Sequence, residues 1–200
     1  MTEIDDEEDT ILEPPAAVEI AVQIGDKAYR LPYEKVFALG CRLLRQGQSE
    51  DAAKLFKKLE EFTDRGPRAF IMQAFCEAAA LHFDECTKPL LAVFEGEDAK
   101  IAMALHNAFV SYHVGIRDDA LKAMVELVNE HKELPTLCLL LGDMLETMGR
   151  LPMAQKCWSL AVHRDWEGGA VRFEAMRRLS KLCPEGPSTN NGSKDSASAD

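Results

Sequence analysis

The stretch LLLGDMLETMGRLPMAQKCW, residues 139–158, decides the fold of this 200-residue chain. Two apolar segments of helical periodicity flank a turn at Gly149, and each segment contains one small residue. Small and bulky apolar residues recur toward the N-terminus at a constant spacing of 34 residues. The four series are Gly40, Ala74, Ala108 and Gly142; Ala52, Cys86, Ala120 and Ala154; Phe56, Leu90, Met124 and Trp158; and Leu59, Val93, Leu127 and Ala161. A fixed period of this length predicts stacked helix-turn-helix units.

The pattern resembles the tetratricopeptide repeat (TPR) family, whose 34-residue unit carries a small residue in its first helix. Its second helix carries Ala, then a bulky residue and a further apolar residue. The fourth unit matches best, from Gly142 to Trp158. The second unit departs most, because Cys86 replaces Ala, Leu81 replaces the turn glycine and Pro89 lies inside the second helix. Proline in that place is expected to kink or shorten the helix.

The resemblance implies an all-α fold, an α-solenoid of about four TPR helix-turn-helix repeats with a C-terminal capping helix. The predicted units are the repeats 33–66, 67–100, 101–134 and 135–168, followed by a capping helix at 169–183. Residues 1–32 form an acidic leader that is predicted to be largely disordered, and residues 184–200 form a disordered tail. Apolar residues alternate with others from Val18 to Ile24, which predicts a hairpin over 18–31. Whether this segment forms the hairpin, docks in a groove or stays loose is left open.

The net charge of −11 lies mostly at the ends of the chain. Residues 1–13 carry −7 and residues 184–200 carry −2, which leaves −2 for residues 14–183. Nucleic-acid binding needs a basic surface, so no nucleic-acid partner is predicted. No apolar run is long enough to span a bilayer, so no membrane insertion is predicted. The acidic N-terminus does not resemble a secretory signal, and a cytoplasmic location is expected.

The sequence contains no residue pattern that predicts chemistry. His106 and His113 share a helix face, but a metal site would need a further ligand. The six cysteines are scattered and predict packing. We therefore predict no catalytic residue, no metal, no cofactor and no enzymatic activity. A basic cluster is predicted to be a solvated face of the capping helix or, alternatively, a contact for the acidic leader or for an acidic partner; it comprises Arg172, Arg177, Arg178 and Lys181.

In the TPR family the first helices of the repeats line an inner groove that binds peptides. The resemblance implies a groove lined by Phe37, Leu44, Ile71, Phe75, Leu105, Phe109, Tyr112, His113, Leu139, Asp143 and Glu146. Most of these residues are apolar, and apart from Arg45 and Arg68 the Lys, Arg and Asn set of the family's carboxylate clamp is missing. The aromatic residues would act as anchors, and the two acids would set polarity at one end. Two alternatives remain open: the same side chains form ordinary core, or residues 18–31 occupy the groove.

These observations predict a non-enzymatic protein–protein interaction module, a chaperone or adaptor that holds a hydrophobic peptide segment in its groove. The architecture, and the stretch from Gly47 to Phe56, are also similar to the TPR chaperones of type III secretion translocators. The alternative is a structural scaffold subunit that assembles a larger complex through its convex face or its ends. Self-association into a homo-oligomer is left open.

Overall fold

The structure is a computed structural model that describes residues 19–24, 27–166 and 169–182. These residues form nine α-helices and one two-stranded sheet. The helices are α1 Tyr33–Arg45, α2 Ser49–Leu59, α3 Arg68–Ala79, α4 Phe83–Val93, α5 Ala99–His113, α6 Arg117–Glu130, α7 Pro135–Thr147, α8 Leu151–Arg164 and α9 Ala170–Ser180. The strands are β1 Glu19–Ile24 and β2 Lys27–Pro32. The predicted all-α class is confirmed apart from this small sheet, and the predicted disorder of 1–17 and 184–200 concerns residues outside the described ranges.

The turns inside the four helix pairs share one backbone conformation. Gly47, Gly115 and Gly149 have φ angles of 77°, 98° and 72°. Leu81 takes the equivalent place between α3 and α4, and its φ angle is 66°. Glycine enters this left-handed region without steric cost, whereas a side chain costs about 1–2 kcal/mol there. The second pair therefore keeps the turn of the others at the expense of strain at Leu81.

Each helix packs mainly on its neighbours in the sequence, and glycine allows the closest approaches. A Cβ atom added at Gly40 would lie 2.7 Å from Cζ of Phe56. Gly142 faces Trp158 in the same way, and both aromatic side chains are fully buried. The two glycines of the first series therefore make room for Phe56 and Trp158 of the third.

Helix α4 is not interrupted by its internal proline. It continues through Pro89 to Val93, and its 11 residues equal the length of α2. Pro89 is buried, so its ring packs in the core although the residue donates no backbone hydrogen bond. The length of α4 does not decide the prediction that Pro89 kinks or shortens the helix, because α4 equals α2 but is three residues shorter than α6 and α8, which have 14 residues each.

Of the alternatives left open for residues 18–31, the described residues form two paired strands, which pack on the first helix pair. Strand β1 pairs antiparallel with β2, with Ile20 opposite Leu31 and Val22 opposite Tyr29. Ile20 and Val22 are buried, and both strands contact α1. The Lys58 ammonium donates a hydrogen bond of 2.9 Å to the carbonyl of Ala21. This position covers one side of α1.

Helix α9 joins the two ends of the helical array. It packs against α8 and α7 and also against α1. Its inward face combines Val171 and Ala175 with the charged Glu174 and Arg178, all of them buried. The chain therefore closes on itself, and the first and last helix pairs share one core. Within the described residues, no helix has both the length and the hydropathy that crossing a membrane requires.

Candidate functional site

The apolar side chains predicted to line a groove are mostly buried. Five of them are fully inaccessible: Phe37, Ile71, Leu105, Phe109 and Leu139. Phe75 and Tyr112 are 6% and 7% exposed, while Leu44 and His113 are half-buried. Helix α3 contacts both α5 and α7, so these side chains pack on one another. In the described residues they form core, which was the alternative interpretation of the same pattern.

The predicted aromatic anchors form one cluster in the interior. The ring centroids of Phe75 and Phe109 lie 5.1 Å apart, edge to face, and those of Phe75 and His113 lie 5.0 Å apart. Tyr112 contacts the same phenylalanine, and its hydroxyl hydrogen-bonds with the Thr147 hydroxyl. Such edge-to-face pairs stabilise packing beyond the area they bury. The anchors are therefore satisfied by contacts with one another.

His113 is held neutral in this cluster. Burial, and then the charge of Arg117, lower the pKa of its imidazole to about 4. Its Nε2 atom is buried and has no hydrogen-bond partner within the described structure. His106, the other histidine on α5, hydrogen-bonds through Nδ1 to the Thr87 hydroxyl at 2.8 Å. In the described part of the chain no three His, Cys, Asp or Glu side chains are grouped to hold a metal ion.

The two acids predicted to set polarity in a groove bind arginines of this chain instead. Arg45 contacts Glu146 at 2.9 Å and Asp143 at 3.6 Å. Arg178 donates from Nε and Nη2 to the two carboxylate oxygens of Asp143, at 2.6 and 2.7 Å. Its Nη1 atom donates to Glu174 at 2.8 Å. This ion network links α1, α7 and α9, so the acids hold the array closed.

The prediction of a solvated basic face on α9 is wrong for Arg178. Its side chain is 2% exposed, because α9 turns this residue toward α7. Burial alone lowers the pKa of Arg178, but its interactions with Asp143 and Glu174 outweigh burial and raise the pKa above its ordinary value. Arg177 is 27% exposed and pairs with Glu174. The guanidinium of Arg178 therefore remains charged in the interior.

The five cysteines in the described part of the chain have the properties of packing residues, as predicted, whereas Cys183 lies outside the described residues. Burial raises the pKa of Cys41 and of Cys86 to about 12. Burial and then the proximity of Cys138 raise the pKa of Cys157 to about 11. A thiol must ionise to act as a nucleophile, so at neutral pH these side chains are inert.

An open apolar cleft lies on another part of the surface, between the second helices of the last two pairs. It has a volume of about 730 Å³, and its floor comes from α7. Its lining consists of Asp118, Leu121, Lys122, Val125, Glu126, Leu141, Leu145, Arg150, Met153, Lys156 and Cys157. Val125 of α6 and Met153 of α8 are 42% and 51% exposed. The cleft therefore presents apolar side chains to solvent, which the predicted groove does not.

Charged groups border this cleft. Arg150 and Asp118 form an ion pair of 2.8 Å that connects the turn before α8 to the start of α6. Lys122 and Lys156 lie along the lining with Glu126. Apolar pockets bordered by a few polar groups are typical ligand sites, because the apolar part gives affinity and the polar part gives orientation. The cleft can hold apolar side chains of a segment that carries charges of both signs.

This cleft was not predicted from the sequence. Val125 and Met153 belong to none of the four series with the period of 34 residues. The sequence signal for the cleft was an apolar residue at a position of the second helix that the helical pattern predicts to be exposed. A single exposed apolar residue is common on protein surfaces, so that signal is weak.

No protein-family model matches the chain, and neither a curated protein nor a solved structure does.

Proposed function

We propose that this protein is a TPR-type α-solenoid and a non-enzymatic protein-binding module that holds an apolar segment of a partner in the cleft between α6 and α8. The observation that carries the proposal is the pair Val125 and Met153, which line a concave surface and are 42% and 51% exposed. Exposed apolar side chains that line a cleft mark an interaction site more specifically than isolated ones.

The TPR-type assignment is supported by the turns and by the packing. Left-handed residues occur at 47, 81, 115 and 149, the spacing of the four sequence series. Consecutive helices form the closest pairs, and Gly40 and Gly142 contact an aromatic ring of the following helix. Tertiary contacts that recur with the period of the sequence are typical of a repeat array.

The cleft fits the function of a repeat protein better than the interior does. Opening a groove at Phe75 and Phe109 would require separating the rings that now cover each other. The cleft needs no such rearrangement, because its apolar residues already face solvent. A protein that binds its partner in the cleft is an adaptor or scaffold that uses an outer face of the array. A chaperone that binds its partner in the inner groove is less well supported.

The partner segment is expected to insert two or three apolar side chains over Leu141 and Leu145 at the floor. Lys122 and Lys156 favour acidic residues beside those anchors, while Glu126 favours a basic one. A helix of two to three turns, or an extended strand of the same length, would fit this cleft. Buried apolar anchors carry most of the affinity in interfaces of this kind.

The test compares two methionines of similar exposure. Met153→Glu places a charge in the cleft, whereas Met103→Glu changes a residue of α5 that is 47% exposed and outside it. Partners are identified by affinity purification with the full chain, and the affinity of each is then measured with the purified partner. We expect Met153→Glu to weaken binding at least about 10-fold, the effect of losing a hot spot, and Met103→Glu to leave it unchanged.

Equal affinities of the wild type and Met153→Glu would refute the cleft as the binding site. A further variant, Phe109→Ala, separates the cleft from the inner groove. Phe109 is fully buried, and its truncation is expected to destabilise the fold by about 3–5 kcal/mol. If Phe109→Ala is still fully folded and binds the partner more weakly, the binding site is the inner groove and not the cleft.

A further inference from the structure

Strand β2 is an edge strand, and within the described residues no strand pairs with its outer side. The side chains from Lys27 to Arg30 are exposed, and Leu31 and Pro32 are half-buried. In the described residues the sheet has two strands, so each strand has one outer edge. An uncovered edge presents backbone N–H and C=O groups to which another strand can pair.

The outer edge of β1 is already occupied, and this fixes which groups of β2 point outward. The Ala21 carbonyl accepts the hydrogen bond of Lys58, so this carbonyl faces away from β2. Ala21 pairs with Arg30, and antiparallel pairs alternate between those that exchange hydrogen bonds and those that do not. The pair of Val22 with Tyr29 therefore exchanges hydrogen bonds, and the backbone groups of Ala28 and Arg30 point outward.

A register of self-pairing centred on Tyr29 satisfies all these outward groups. If Tyr29 lies opposite Tyr29 of a second copy on a two-fold axis, Ala28 lies opposite Arg30 of the second copy. Each of these pairs then exchanges both of its hydrogen bonds. If Arg30 instead lay opposite Arg30, Ala28 would face Pro32, which has no N–H, and two like charges would be directly opposite.

The charges and the exposed ring favour the same register. Lys27 lies opposite Leu31 and Arg30 lies opposite Ala28, so no two like charges face each other directly. Tyr29 shares the face of the sheet that carries Val22, which is buried, yet its own side chain is 41% exposed. In the part of the chain that the structure describes, no strand lies beyond β2 to cover this ring. In the paired form the two Tyr29 rings are neighbours and cover each other.

We propose that β2 binds a second copy of this chain, and that the two hairpins form one four-stranded antiparallel sheet about a two-fold axis at Tyr29. A self-complementary patch is what a two-fold dimer requires, because the same residues serve both copies. The surface is separate from the cleft between α6 and α8. Dimer formation would therefore present two clefts on one particle.

The test measures the monomer–dimer equilibrium of the full chain by sedimentation equilibrium. Ala28→Pro removes one outward N–H from each copy and leaves the hydrogen bonds between β1 and β2 intact, whereas Ala28→Ser keeps the N–H and a small side chain. We expect Ala28→Pro to weaken the dimer at least about 10-fold, since two hydrogen bonds are lost, and Ala28→Ser to have little effect. A wild type that stays monomeric at all concentrations, or a dimer that Ala28→Pro leaves unchanged, would overturn the proposal.

A cross-link tests the register independently. Tyr29→Cys places two thiols at directly opposite positions without mutual backbone hydrogen bonds, where the Cα atoms are about 4.5 Å apart. We expect Tyr29→Cys to form a covalent dimer under mild oxidation, and Ala28→Cys to form none, with the wild type as reference. Equal cross-linking of the two variants, or pairing of β2 with a strand of a different protein only, would contradict a two-fold dimer at Tyr29.

Discussion

Replacing Arg178 with methionine tests whether the ion network holds the array closed. The guanidinium is 2% exposed and gives two hydrogen bonds to Asp143 and one to the side chain of Glu174. Methionine fills a similar length of space but leaves both carboxylates without this partner. Removing one member of a buried ion pair typically costs about 3–5 kcal/mol, because the remaining charge stays buried.

The partners that remain place the effect near the lower end of that range. Glu174 is fully buried and keeps Arg177, which donates from Nη2 at 2.8 Å. Asp143 is 13% exposed and keeps the indole N–H of Trp158 at 3.1 Å, with Arg45 at 3.6 Å. We therefore expect Arg178→Met to lower the free energy of unfolding by about 3 kcal/mol.

The assay is urea denaturation followed by circular dichroism, with Arg177→Met as the matched control. Arg177 is more exposed, so its loss should cost under about 1 kcal/mol. Adding Asp143→Asn to Arg178→Met should recover part of the loss, since it removes one of the buried charges, with a coupling of about 1–3 kcal/mol. A cost of less than 1 kcal/mol for Arg178→Met would refute the role assigned to the network.

Three further predictions concern single positions. Leu81→Gly should raise the free energy of unfolding by about 1 kcal/mol in the same urea assay, because the left-handed turn is relieved, while Leu81→Ala keeps a Cβ atom and should not. Gly40→Ala should cost about 1–3 kcal/mol through the clash with the Phe56 ring, and Phe56→Leu in the same chain should restore part of it; additive costs would contradict this contact. His113 should make the fold less stable as the pH falls from 6.5 to about 4, because the unfolded chain binds a proton that the buried ring excludes. Denaturation across that range should show the wild type losing roughly 2 kcal/mol more than His113→Gln, and equal losses would refute it.

Local patterns in the sequence were sufficient to predict the elements. The spacing of 34 residues located four helix pairs, since a helix repeats its inward face with a fixed period. The alternation around Ile20 and Val22 located the hairpin, and both side chains are buried as that alternation implies. The departure at Leu81 was also visible, but its backbone conformation was not, because a tertiary arrangement can impose a turn on an unfavourable residue.

The binding surface could not be predicted in the same way. A first-helix residue such as Phe109 has the same sequence pattern in an open groove and in a closed core. The difference depends on how far the array curves, which is set by contacts such as Arg45 with Glu146, 101 residues apart. The cleft at Met153 likewise depends on the gap between α6 and α8 and not on either helix alone.

The sequence by itself determined the helix pairs and their glycine turns, and its alternation indicated the strands of the hairpin, because each of these depends on contacts among residues near one another in the chain. Only the tertiary structure decided that the array closes through α9, that Arg178 and Glu174 are buried, and that apolar surface remains open at Val125 rather than at Phe75. These outcomes depend on distances between helices far apart in the chain. The packing angles of successive helix pairs together set those distances, and no local sequence pattern specifies their combined effect.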